Sequence, residues 1–143
     1  METKPCLDWL DSHSDRLASW RQFRLENTGL SAEQAVDAVI NYYSKLPLSS
    51  ISIDPYDHNQ WGTIWEIINS NEYCEFSKAL LYAYTLHYIG HPCAIAIGNT
   101  ANSQNLICIC NGQVLNLEYN KPVPASTVEF VEEKKWYTNE LCT

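Results

Sequence analysis

Apolar residues recur at helical spacing through the first part of the chain and at alternate positions through the last. In CLDWLDSHSDRLASWRQFRLEN (6–27), Trp9, Leu10, Leu17, Trp20 and Phe23 fall mostly on one helical face, and Thr28-Gly29 ends the pattern. Ser31-Ala-Glu-Gln34 has the form of a capping box, in which the serine hydroxyl and the glutamine side chain cover amides left without partners at a helix start. The helix it opens carries Ala35, Val36, Val39, Ile40 and Tyr43 in one stripe, which predicts core packing, and Pro47 stops it. PLSSISIDPYDHNQ (47–60) is polar and rich in turn formers, so a loop is expected; TIWEIIN (63–69) predicts a short helix. NSNEYCEFSKALLYAYTLHYIG (69–90) predicts a long helix with Cys74 at its start and a Gly90 stop before His91-Pro92.

Beyond Pro92 the period changes. CAIAIGN (93–99) is a short apolar run rich in small and β-branched residues, and NLICIC and QVLNLEY flank Asn111-Gly112, a strong two-residue hairpin signal. STVEFVEEKKWYT (126–138) fits either a strand, from the alternation of Val128 and Phe130, or a helix capped at Ser126. Helices first and an antiparallel sheet after predict an α+β architecture, a helical part over about 5–90 packed on a small sheet over about 93–138, in one domain spanning 1–143.

Composition narrows the function. A chain of 143 residues with 45% hydrophobic content supports a packed core without staples. The net charge is -8, and the nine lysines and arginines are scattered, with Lys134-Lys135 the only adjacent pair. Nucleic acid and anionic membranes both select a clustered basic face, so neither is an expected partner. The opening METKPCLDWLDSHSD carries charges where a signal peptide needs an apolar core, and no apolar run reaches the length of a membrane span. A cytoplasmic location is expected, the host cytoplasm if a virus encodes the chain. The six cysteines are then reduced thiols. Cys108 and Cys110 share one face of a strand, but no CxxC or histidine spacing accompanies them, so core packing is expected and no metal or other cofactor. The acids of Asp54-Pro-Tyr-Asp57 fit a turn.

Cys74 is the residue with chemical promise. Free amides and the helix dipole at a helix start favour the thiolate, whereas Glu72 and Glu75 oppose it. The surrounding motifs resemble those of the transglutaminase-like cysteine proteases, specifically the bacterial transglutaminase-like cysteine proteinase group. WGTIWE (61–66) is similar to that family's Trp-x-Thr-Pro-x-Glu, with Ile64 at the proline. NEYCEFSKALLYAYTLHYIG is similar to its Gly-Asp-Cys-Glu-Asp-Tyr-Ala helix ending in Leu-Gly; Cys74 and Glu75 match, Tyr73 and Phe76 replace the aspartates, and Glu72 replaces the glycine. NLICICNGQVLNLEYN (105–120) matches the stretch in which the family places its histidine and acid. The resemblance spans about residues 35–120 and implies a papain-like core.

Carried over residue by residue, the resemblance makes Cys74 the nucleophile and Glu118 the orienting acid, and puts Asn105 where the base belongs. Asparagine accepts no proton at a useful pH. No histidine follows His91, and His87 and His91 lie roughly 20 Å or more along the helix from Cys74 at 1.5 Å per residue. His58, in the loop before Trp61, is the one alternative base; His13 lies on a polar stretch. Of the acids that some family members use for calcium, only Glu75 remains. Counting outward from Asn111-Gly112 pairs Cys110 with Gln113 and Asn105 with Glu118, so a relic triad is expected at one end of the hairpin. These residues imply a pseudoenzyme: a protein-binding module, inhibitor or adaptor, whose groove is lined by Trp61, Trp65 and Tyr73 and whose acidic surface suits a protein or peptide partner with a basic face. The alternative is a thiol hydrolase or acyltransferase that uses Cys74.

Overall fold

A computed structural model of the chain describes residues 13–44, 61, 63–69, 75–100, 103–118 and 121–142, with the backbone alone for 13–16, 69, 75 and 118. Helices α1 (His13–Asn27), α2 (Ala32–Tyr42), α3 (Ile64–Asn69) and α4 (Glu75–Tyr88) come first. Strands β1 (Ala94–Asn99), β2 (Gln104–Cys110), β3 (Gln113–Glu118), β4 (Lys121–Pro124) and β5 (Val131–Tyr137) follow, and a one-turn helix α5 (Thr138–Leu141) closes the order. The sheet order is β4-β3-β2-β1-β5, and the pairs β1–β2, β1–β5, β2–β3 and β3–β4 are all antiparallel. The α+β architecture expected from the change of period is the one observed.

The local signals act as physics requires. At the start of α2, the Gln34 N–H donates to Ser31 Oγ at 3.2 Å and the Ser31 N–H to Gln34 Oε1 at 3.3 Å. Thr63 and Glu66 repeat this reciprocal arrangement at α3, where bonding to Thr63 holds the Glu66 carboxyl below its ordinary range. Helix α4 ends in a Schellman motif: Gly90 takes φ +106°, the His91 N–H reaches Leu86 O at 2.8 Å and the Gly90 N–H reaches His87 O at 3.1 Å. Asn111 and Gly112 both take positive φ, 54° and 73°, the geometry of a tight hairpin turn. The segment 126–138, open to either reading, is mainly strand. β4 escaped the sequence reading because Pro122 and Pro124 remove two amide donors, which a strand tolerates only at a sheet edge. The expected loop at 47–60 lies outside the described residues.

Helix α4 lies at the centre. Every residue from Ala79 to Leu86 is buried, so the helix is enclosed on all sides, by α2, α3 and the sheet. Leu106, Cys108 and Cys110 of β2, Ile95 and Ile97 of β1 and Leu115 of β3 form the inner face of the sheet beneath it. The alternate residues Ala96, Ile107 and Val114 form an outer face, covered by Ala125, Val128 and Phe130. The link from β4 to β5 therefore crosses the outer face from one edge of the sheet to the other. Both faces are buried, which is why β1 and β2 read as continuous apolar runs.

Enclosure leaves no water for polar groups on α4. Thr85, fully buried, finds its partners on neighbouring helices: the Trp20 indole N–H donates to Thr85 Oγ1 at 3.1 Å, and the Tyr43 hydroxyl lies 2.7 Å from the same atom. One hydroxyl thus links α1, α2 and α4. Thr85→Val removes the acceptor of the Trp20 indole while keeping the side-chain shape, and should lower unfolding free energy by about 1–3 kcal/mol. Thr85→Ser keeps the hydroxyl and should lose only about 1 kcal/mol for the methyl group. Urea midpoints of the two variants check the order; a valine variant as stable as the serine variant would refute it.

Gly98 has a different constraint. The β1–β5 register shifts between Ile97 and Gly98, leaving Glu133 as a bulge residue. A Cβ on Gly98 would run into the Val131 carbonyl, and it would lie 2.8 Å from Phe130 Cζ. Backbone cannot yield as a side-chain tip can. Gly98→Ala should destabilise the fold by about 1–3 kcal/mol or more and raise amide exchange selectively in β5; unchanged exchange in β5 would count against this reading of the contact.

Candidate functional site

The site expected at the start of α4 is described only in part. The described helix begins at Glu75; Cys74, Tyr73 and His58 lie outside the described residues. The backbone of Glu118 pairs with Lys121, and its side chain is likewise not described.

Asn105 is well defined. It sits opposite Gly98, on the same face of β2 as Ile107 and Ile109, which is the outer face of the sheet. Helix α4 packs on the other face, with Leu106, Cys108 and Cys110. The Asn105 amide donates to Thr100 Oγ1 at 2.9 Å and lies 3.1 Å from Ser103 Oγ, so it ties down the β1–β2 turn. The structure therefore does not turn Asn105 toward α4.

The hairpin register also departs from simple counting. Cys110 pairs with Gln113 and Ile109 with Val114, as the turn requires. Farther out, the Asn116 side chain enters the ladder: the Cys108 N–H donates to its Oδ1 and its Nδ2 donates to the Leu106 carbonyl, both at 2.8 Å. A primary amide offers one donor and one acceptor side by side, as a peptide unit does, so it can fill the gap where β3 draws away. On the other side of β3 the register to β4 shifts between Val114 and Glu118. Among the described residues, the ladder does not carry the Asn105–Glu118 pairing, because the Asn116 side chain occupies β2 before it is reached.

The two tryptophans do not form one groove. Trp61 is 3% exposed and packs edge-on against Trp136, with ring centroids 4.8 Å apart, so it belongs to the core. Trp65 is 39% exposed and joins a separate cluster: its ring lies 5.8 Å from Trp20 and 5.5 Å from Tyr88, which is itself 6.0 Å from Trp20. The Arg24 guanidinium caps this cluster at 4.4 Å from the Trp20 ring. A helical spacing of four between Trp20 and Arg24 was the only sequence signal for it.

The histidines have structural settings. His91 Nε2 lies 2.9 Å from the Leu30 carbonyl and fastens the end of α4 to the α1–α2 connection. His87 Nδ1 is shielded from water and has no hydrogen-bond partner among the described residues, and burial pushes its pKa down. A histidine whose native pKa lies below its unfolded value takes up protons on unfolding, so it withdraws stability as pH falls. The loss begins near the unfolded value of about 6.5 and levels off below the native one. His87→Gln should therefore have a flatter stability-against-pH curve than the parent protein on the acid side of about 6.5, measured by denaturant titration. Parallel curves would show that His87 is not the titrating group.

The thiols cluster as well. Extending the β1–β2 register by one step sets Cys93 opposite Cys110, with Cys108 on the same inner face. The Cys93 thiol is pushed up, first by its hydrogen bond with Cys108, and Cys110 is pushed up by its hydrogen bond with Cys93 and by burial. Burial raises Cys142 too, although a hydrogen bond with Tyr88 works against it. Burial and mutual hydrogen bonding disfavour the thiolate at Cys93 and Cys110, which are packed core thiols. Among the described residues no group of three His, Cys, Asp or Glu side chains is placed to hold a metal ion, and no helix is long and apolar enough to cross a membrane.

Searches against protein-family models, curated proteins and solved structures find no match.

Proposed function

We propose that the chain is a protein-binding module on a transglutaminase-like scaffold, without hydrolase turnover. The order of elements supports the scaffold: a central helix whose start adjoins Cys74, followed by β1 and the β2–β3 hairpin. The observation that carries the inactive reading is the setting of Asn105. An amide stands at the position of the base, and its Nδ2 donates to Thr100 and Ser103, on the sheet face away from α4. A thiol hydrolase needs a group that takes the thiol proton and later delivers one to the leaving amine. His87 and His91, the described histidines near α4, are at its far end. The net charge of -8 suits a protein or peptide partner with a basic face.

The test is the reactivity of Cys74. Without a paired base its alkylation by iodoacetamide should rise with pH through about 8.5, the range of an ordinary thiol. Peptide-amide substrates should show no turnover that Cys74→Ala removes. A rate plateau already reached near pH 6, or turnover lost in Cys74→Ala, would overturn the proposal in favour of the enzyme reading, and His58→Ala would then identify the base.

A further inference from the structure

β5 ends the sheet on the side opposite the proline-containing β4, and its character differs sharply from that strand. It reads Val-Glu-Glu-Lys-Lys-Trp-Tyr. It carries Val131 at 70% and Tyr137 at 50% exposure, two of the four large hydrophobics exposed among the described residues. Charges and a bulge at a sheet edge ordinarily blunt indiscriminate pairing. Here their order does something more specific.

We propose that β5 is a self-association edge, pairing antiparallel with β5 of a second copy of this chain in the register that sets Glu132 against Lys135 and Glu133 against Lys134. A two-fold axis perpendicular to a sheet preserves its faces, so residues opposed across such an interface must share a face. In a regular strand that requires an even spacing. Glu132 and Lys135 are three apart, and they share a face only because of the bulge: Glu132 lies opposite Gly98 and Lys135 opposite Ala96, two residues apart on β1. Their side chains meet within one chain at 3.9 Å, which confirms the common face. By the same rule Val131, opposite Asn99, shares the inner face with Trp136, opposite Ile95.

One register therefore satisfies everything at once. Each copy sets Glu132 and Glu133 against Lys135 and Lys134 of the other, on both sides of the axis. Val131 meets Trp136, and Tyr137 meets Phe130 on the outer face, so the exposed apolar residues gain partners. The backbone is also in phase. The Thr138 N–H bonds to the Cys93 carbonyl, so strand alternation turns the backbone groups of Tyr137 and Lys135 away from β1, where a neighbouring strand can take them. Sliding by one residue in either direction sets Lys134 against Lys134 or Glu133 against Glu133 at the axis. The charge order thus rewards one register and penalises its neighbours.

The association is read by sedimentation velocity over about 10–300 µM, the range expected for a small interface. The unmodified chain should pass from monomer to dimer, more weakly at high salt because the pairs are exposed. The double variant K134E/K135E and, separately, E132K/E133K should each lose dimerisation by roughly a hundredfold or more, since like charges then face each other. Mixing the two variants restores every opposite-charge pair and should restore a dimer. Circular dichroism of each variant alone confirms that it folds. A parent chain that stays monomeric over the whole range overturns the proposal, and so does a dimer that both reversals leave intact. Variants that fail to recover on mixing overturn it as well.

Discussion

A helix enclosed on every side allows almost no polar side chain, and the arrangement of this protein follows from meeting that demand at α4. From Ala79 to Leu86 the helix is dry. Its backbone groups satisfy one another, so only side chains need partners, and Thr85 is the one side chain in that run chosen for bonding rather than bulk. Its hydroxyl binds the Trp20 indole and the Tyr43 phenol. Those two partners set how far α1 and α2 can rotate against α4, because a hydrogen bond fixes direction where apolar contact fixes only distance. Both neighbours bring large rings: Tyr43 also packs edge-on to Tyr42, and Trp20 edge-on to Trp65 and Tyr88. The aromatic cluster is thus aligned by a single polar atom at its base.

The sheet meets a different demand. Its two faces are both covered, the inner by α4 and the outer by the 125–130 crossing, so its exposure is confined to its edges. β4 is closed to further pairing by chemistry, since Pro122 and Pro124 lack the donors a neighbour needs. β5 keeps its donors and is controlled by charge and by the Glu133 bulge. The bulge depends on Gly98, the position where the β5 backbone comes closest to β1. Edge character is therefore set from inside the sheet, one strand away from the surface that shows it.

Much of this was legible in the sequence, and the failures have physical causes. The α2 cap, the Gly90 stop and the Asn111-Gly112 turn are local: each depends on residues within a few positions, and each behaves as read. The phase of β2 was not legible. Leu106, Cys108 and Cys110 alternate with Ile107 and Ile109, and both sets are apolar because both faces are buried, so composition could not say which set faced the helices. Asn105 was expected beside Cys74 and faces the other way. The Asn116 insertion and the β5 bulge each rest on a contact with a distant strand, where a local pattern carries no information. Trp61 and Trp65 were expected to line one groove beside the start of α4, yet one packs on Trp136 of β5 and the other on Trp20 of α1.

Strand parity has a larger consequence for reading activity. A catalytic set drawn from a helix start and a hairpin works only if the hairpin residues fall on the face that the helix covers. A shift of one residue moves a side chain through the thickness of the sheet, about the separation that ends any direct proton transfer. On the proposed scaffold, the identity of residue 105 and its orientation point the same way. An asparagine on the inner face would be a disabled base, restored in principle by one histidine. On the outer face, bonded to Thr100 and Ser103, Asn105 serves the β1–β2 turn, and replacing it with histidine would disturb that turn without bringing an imidazole to the helix. A side chain at position 105 could therefore act on the helix face of the sheet only if β2 slipped by one residue. Such a slip would exchange its two buried apolar faces, turning Asn105 inward with Ile107 and Ile109 and sending Leu106, Cys108 and Cys110 to the outer face.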